Sequence, residues 1–165
     1  MPWACSKAYA LDPLCRAGWR ATLPRWAPIA LSAVSDESAL RSPFDELVGT
    51  EWVSDDPDDA RVRVEVREEL EQPVGLLHGG VYSTLVESIC SRATALHVGR
   101  EGKQAMGQSL EISFLRPVTG GTLTVDARAR HRGRTTWVWE AEATDAEGRL
   151  CALARMTVVI RPLAD

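Results

Sequence analysis

The chain has 165 residues, 45% of them apolar and 25% charged, which predicts one globular domain with a packed core and excludes a two-domain enzyme. Its 19 basic and 23 acidic side chains give a formal net charge of -4, so the electrostatic footprint of a nucleic-acid binder is missing. The longest uncharged stretch is the 15 residues from Gln72 to Val86, interrupted by Pro73 and three glycines, whereas a membrane-spanning helix needs roughly 20 apolar residues.

In chain order, residues 1–35 come first and differ from the rest. They carry Lys7, Arg16, Arg20 and Arg25 against Asp12 alone, a net of +3 that leaves -7 on the other 130 residues. Trp3, Trp19 and Trp26 and four prolines fall here, with no helical or strand periodicity. No unbroken apolar run suits a secretory signal, and the Trp and Pro content fits a targeting peptide poorly. Residues 1–41 are therefore expected to be an N-terminal extension, disordered or preceding the true start. Val34, followed by Ser35-Asp36-Glu37-Ser38, would serve as that start if its codon were read as Met. Residues 42–163 form the expected domain.

Ser42-Pro43-Phe44-Asp45 supplies an N-cap, Pro at the first helical position and an acid behind it, with Gly49 to close a short helix. Thr50 to Ser54 reads as a short strand. Arg61 to Glu68 alternates, with Val62, Val64 and Val66 on one face, and predicts a half-buried strand. A loop with Pro73 and Gly75 leads to a long helix from Gly79 to about Val98, where Val81, Leu85, Ile89, Ala93 and Leu96 make one apolar face. Arg92 projects onto that face without a reason legible in the sequence. Four alternating runs follow: Gln108 to Arg116, Thr122 to Arg130, Thr135 to Thr144 and Arg149 to Ile160, each closed by a turn signal. Leu110, Ile112 and Phe114 are expected to point inward on the first of them. The predicted architecture is α+β: an antiparallel meander of four long strands wrapped around one central helix.

The cysteines at 5, 15, 90 and 151 form no Cys-x-x-Cys and have no nearby His pair, so no metal site, redox motif or cofactor is expected. Reduced thiols in a cytoplasm fit this usage. On the long helix, Ser83, Glu87, Ser91 and Thr94 fall within roughly 80° of one another and make a narrow polar stripe. Such a stripe reads either as a solvated face or as a site. Small hydroxyls around a single carboxylate, below a glycine-rich start at His78-Gly79-Gly80, favour the site. A helix start offers unpaired N–H groups and the positive end of its dipole to an oxygen gaining charge. One turn further in, Glu87 is expected to face the same space, so that it, or a water it activates, attacks a carbonyl carbon. A thioester needs little more, because a thiol of pKa about 8.5 leaves without a strong general acid. No Gly-x-Ser-x-Gly is present, and His97 and His131 have no readable partner.

The spacing Gln72, His78-Gly79-Gly80, Glu87, Ser91, followed by Leu110-Glu111-Ile112 and Gly148-Arg149-Leu150-Cys151, resembles the hotdog-fold acyl-CoA thioesterases of the 4-hydroxybenzoyl-CoA superfamily. The nearest branch in pattern has a catalytic Glu and includes the 1,4-dihydroxy-2-naphthoyl-CoA thioesterases; the phenylacetate-pathway branch usually has Asp there. The resemblance covers residues 44–161 and implies a site between two subunits of a homodimer or homotetramer. It makes Glu87 the nucleophile or general base, Gly79 the backbone donor to the thioester carbonyl and Gln72 a second donor. Ser91 would orient Glu87 or the water, and His78 would order the loop. Gly80, Tyr82, Val86 and Phe114 would contact an aromatic or medium-chain acyl group. Arg116, Arg134, Thr135 and Thr136 would hold the nucleotide of coenzyme A. Two other readings stand beside this one. A hotdog hydratase would want an Asp and a His set five apart, and no His follows Glu87 at that distance; a non-catalytic acyl-CoA-binding module would have no use for the carboxylate.

Overall fold

Ser42 caps helix α1 (Pro43–Val48) reciprocally, its hydroxyl accepting from Asp45 N–H while the Asp45 carboxylate accepts from Ser42 N–H. Gly49, at φ 82°, closes the helix in the left-handed region. The computed structural model describes residues 42–163, so the expectations for residues 1–41 lie outside the described residues. Strands β1 (Glu51–Ser54) and β2 (Ala60–Glu65) follow, then a single 3₁₀ turn over Glu68–Leu70. Helix α2 (Gly79–Gly99) leads to β3 (Lys103–Phe114), β4 (Thr122–Arg132), β5 (Thr136–Thr144) and β6 (Leu150–Pro162).

The six strands form one antiparallel sheet in the order β1-β2-β4-β5-β6-β3. The α+β prediction of a sheet wrapped around one helix holds, but the four-strand meander does not. Only β4, β5 and β6 run as consecutive neighbours; β3 pairs with β6 at the far edge. The connections explain why. Turns of three and five residues tie β4 to β5 and β5 to β6, whereas residues 115–121, with Pro117 and Gly121 at φ 76°, are long enough to cross the end of the sheet. Helix α2 thus carries the chain from one side of the sheet to the other, and three strands fill the gap.

The core is the seam between helix and sheet. Leu85 and Ile89 of α2 are fully buried against Val62, Val64, Leu123, Val125, Met156 and Val158. Trp139 is the largest fully buried side chain. Its indole N–H donates to Thr94 Oγ1 at 3.0 Å, and Thr94 donates in turn to Cys90 O. Thr94, expected on the polar stripe, is therefore a core residue whose hydroxyl satisfies a buried indole. Arg92 is buried too. Its Nε donates to Asp55 at 2.9 Å and its guanidinium lies 4.8 Å from the Trp52 ring centre, so it ties the β1–β2 loop to the helix. Among the described residues no helix is long and apolar enough to cross a membrane.

Candidate active site

The loop before α2 is folded back on itself. Gln72 N–H donates to Leu76 O, Gly75 N–H donates to Gln72 O, and Gly75 takes φ 73°. His78 N–H then donates to Leu70 O, which brings Gln72 beside the first turn of the helix. His78 is the N-cap, its Nδ1 accepting from Gly80 N–H at 2.8 Å. A ring nitrogen that accepts there leaves Nε2 to carry the proton of the neutral imidazole. The Gly79 N–H, one residue earlier, has no bonded acceptor among the described residues. It lies in the first turn, where the helix field favours an oxygen gaining negative charge.

Gly79, Gln72, Tyr82, Phe114 and Arg116 line one cavity of about 350 Å³. Phe114 was expected to face inward; it is instead 56% exposed, its ring resting on Gly79 and meeting Tyr82 edge-on at 5.4 Å. A Cβ at Gly79 would stand 3.0 Å from Phe114 Cζ, so glycine is what lets the ring and the helix head meet. Burial, then the neighbouring Cys151 and Asp145, push the Tyr82 phenol up to about 12, so it stays neutral at ordinary pH. Val86 is buried in the core and lines neither this cavity nor the next. His78 and Gly80 open onto the other side of the helix head, a cleft of about 580 Å³ beneath α1.

Glu87 is exposed in the middle of α2, where its Oε1 accepts from Ser91 Oγ at 2.8 Å. Among the described residues no cation forms an ion pair with it. Its Oε1 sits over Gly107 of β3: a Cβ there would lie 3.1 Å from that oxygen and 2.9 Å from Met156 Cε. Gly107 also opens the register shift that sets Gln108 out of the β3–β6 ladder. Gly107 carries a signal of its own in the chain, since a glycine inside a long strand is itself a sign of close approach. The nearby thiol is no competing nucleophile, because burial and then Glu87 push Cys90 well above the usual thiol range.

The expectation that Glu87 lies one turn below the helix head is corrected. Eight residues separate Gly79 from Glu87, about 12 Å along the axis at 1.5 Å per residue. The sheet repeats this division. Phe114 pairs with Ala152, which pairs with Ala143, and Arg116 lies just past that row; Met106 pairs with Val159, which pairs with Thr136, next to Arg134 and Thr135. Eight strand residues, about 26 Å, separate the two rows. One chain thus gathers Gln72, Gly79, Tyr82, Phe114 and Arg116 at one end, and holds Glu87 and Ser91 nearer the end with Arg134, Thr135 and Thr136. His97, exposed, leans on Trp137 in the last turn of α2, and His131 is exposed on β4, so neither joins the site.

A curled antiparallel sheet around one helix, with an open N–H at the helix head and a bare carboxylate two turns on, defines the class of hotdog-fold thioester hydrolases. Residues 74–152 match the family model described as Thioesterase superfamily. A Pseudomonas aeruginosa protein provisionally named an esterase is 33% identical over 127 residues, 77% of this chain and 88% of that protein. The 1,4-dihydroxy-2-naphthoyl-CoA hydrolase of Listeria monocytogenes is 34% identical over 116 residues, 70% of this chain and 94% of the relative. Among solved structures, a mutant thioesterase from Pseudomonas aeruginosa superposes with TM-score 0.72 at 30% identity, covering 81% of this chain and 94% of that one. The chain belongs to the Thioesterase superfamily, and its reaction class is thioester hydrolysis.

Proposed function

We propose that this protein hydrolyses an acyl-CoA thioester to the free acid and coenzyme A, with Glu87 as the attacking group or general base. The carrying observation is Glu87 itself: exposed, without a cation among the described residues, steadied by Ser91 and fitted over a glycine. In the general-base form, Glu87 takes a proton from water as the water oxygen bonds to the acyl carbon. The C–S bond then breaks, coenzyme A leaves as thiolate, and the proton returns to it. In the nucleophilic form the carboxylate itself bonds to the acyl carbon, thiolate leaves, and water cleaves the resulting anhydride. Both routes put negative charge on the carbonyl oxygen, which the Gly79 N–H and the Gln72 amide would receive. His78 orders this donor by engaging Gly80.

The 12 Å of helix between Gly79 and Glu87 supports a site formed between two copies of the chain, the backbone donor from one and the carboxylate from the other. The edge of β3 not bonded to β6 is open among the described strands. Antiparallel pairing of β3 with itself, about a point near Leu110 and Glu111, would set Gly107 of one copy against Phe114 of the other. Glu87 then meets the partner's Gly79 and Gln72, while Arg116 approaches the partner's Arg134, Thr135 and Thr136, where the nucleotide of coenzyme A would lie. Cys90 and Cys151 are buried free thiols, in keeping with a reducing cytoplasm.

Thiol release from a panel of aromatic and medium-chain acyl-CoAs, wild type beside Glu87→Ala, tests the reading. We expect turnover by the wild type and a loss of roughly 10² to 10⁴ in kcat for Glu87→Ala, the range for a positioned proton-transfer group. Binding without thiol release would make the protein an acyl-CoA-binding module; full rate in Glu87→Ala would remove Glu87 from the mechanism.

A further inference from the structure

The chemistry above leaves the Tyr82 hydroxyl idle. Tyr82 is 4% exposed, and that hydroxyl has no hydrogen-bond partner among the described residues. Two polar groups stand near it, the Cys151 thiol and the Asp145 carboxylate. Both are engaged elsewhere: the thiol donates to Arg149 O, and the carboxylate accepts from Glu147 N–H, Arg149 N–H and Arg149 Nε. Among the described residues, the buried side-chain oxygen that is both sealed and unpartnered is Thr50 Oγ1. The Tyr82 hydroxyl is therefore not sealed, and the open space its side chain lines is the cavity of about 350 Å³ at the helix head. A nearly buried donor that keeps an opening and lacks an acceptor is incomplete until a ligand supplies one.

The rest of the cavity indicates where that acceptor sits. Gly79 lines it as well, one turn before Tyr82, and a long helical side chain leans back toward the N-terminus. A carbonyl held at the Gly79 N–H thus has its acyl group beside the Tyr82 ring. Leu76, Leu77, Leu115 and Val118 give this space apolar walls, with Gln72 and Arg116 as its other polar side chains. Phe114 meets Tyr82 edge-on at 5.4 Å, a packing that a third ring can join. Benzene is taken up by an apolar cavity of roughly 150 Å³, so an aryl group has room here. Burial keeps the phenol protonated at ordinary pH, which leaves it a donor.

We infer that Tyr82 is a specificity-determining residue: its hydroxyl donates to an oxygen carried by the acyl group beyond the thioester carbonyl, so that an aryl group bearing a ring oxygen is taken in preference to the bare ring. The inference rests on the acyl-CoA reading and refines it, by naming the side chain that tells one acyl group from another. The bare ring fills the same apolar space but leaves the phenol O–H without an acceptor, and that unmade bond is the source of the discrimination.

The test compares kcat/KM for benzoyl-CoA with that for its ortho-, meta- and para-hydroxy derivatives, wild type beside Tyr82→Phe. We expect the wild type to favour one ring position over benzoyl-CoA by roughly 3- to 10-fold, the worth of one neutral hydrogen bond, and Tyr82→Phe to bring that ratio close to one. A ratio that survives Tyr82→Phe passes the role to Gln72 or Arg116 and overturns the inference. A fall shared by all four substrates at an unchanged ratio gives the hydroxyl to the pantetheine arm and overturns it too, as does a wild type that treats all four alike. Calorimetric binding of the same esters to Glu87→Ala, with and without Tyr82→Phe, separates this from the question of turnover. A gain in affinity from the ring hydroxyl that Tyr82→Phe removes supports the inference even if no hydrolysis is found; affinities blind to the hydroxyl overturn it.

Discussion

The head of α2 and its middle are built by different means. At the head, the groups proposed to work are backbone: the Gly79 N–H, without a bonded acceptor among the described residues while His78 engages Gly80, and a loop closed on itself that carries Gln72. In the middle they are side chains on packed elements, Glu87 and Ser91, fitted against a strand that gives way only because Gly107 has no Cβ. A donor made of backbone survives most substitutions, whereas a carboxylate set over a glycine fails at either partner. The distance between them teaches more. On the proposed mechanism, a chain that holds the donor and the base some two turns apart holds two halves of two sites, and a second copy completes each.

Subunit mixing puts that division to the hardest test. Glu87→Ala and Gln72→Ala proteins, each expected to be nearly inactive, should regain about a quarter of wild-type activity when unfolded together and refolded at equal ratio, since half the dimers would then carry one intact site of two. No recovery would place both groups in one chain's site.

Gly107→Ala sharpens the middle region. The added methyl meets Glu87 Oε1 and Met156 Cε, so we expect kcat to fall by roughly 10- to 100-fold through a displaced carboxylate, in line with about 1 Å of misplacement. KM should move little and the fold should stay intact by circular dichroism. An unchanged kcat would mean that the fit over Gly107 is incidental.

Thr94→Val separates the buried end of the stripe from its exposed part. It leaves the Trp139 indole N–H without an acceptor in the core, at a cost of about 1–3 kcal/mol read by denaturant unfolding, with thiol release per folded molecule preserved. A loss of kcat without a loss of stability would return Thr94 to the site.

The smallest effect belongs to the head. The unfolded Tyr82 phenol releases its proton near 10, while the folded one holds it to about 12. Its contribution is therefore complete below pH 10 and lost as pH rises toward 12. Tyr82→Phe should shallow the alkaline fall in melting temperature across that window, and an identical fall in both proteins would show that another group governs it.

Much of this was legible in the chain. Alternation in β2, β4, β5 and β6 and the wide apolar face of α2 follow from burial, which imposes period 2 on a half-buried strand and 3.6 on a half-buried helix. The candidate catalytic residues sit in one contiguous stretch, Gln72 to Ser91, because a loop and the helix it enters are fixed by local geometry. What local pattern could not carry was pairing across distance. Position 94 follows the stripe in periodicity, yet only the presence of Trp139 on a facing strand turns Thr94 inward. Arg92 breaks the apolar face for no reason visible along the chain, until Asp55 and Trp52 are brought beside it.

The sequence by itself determined that a helix with an open glycine head and a lone carboxylate would lie against a curled antiparallel sheet, since capping, periodicity and charge are properties of neighbours in the chain. Tertiary structure alone decided that β3 lies beside β6 with an open edge, that Glu87 rests on Gly107, and that Arg92 is buried against Asp55 and Trp52. Each depends on which surfaces meet when the helix crosses the sheet, and no spacing along the chain encodes that meeting.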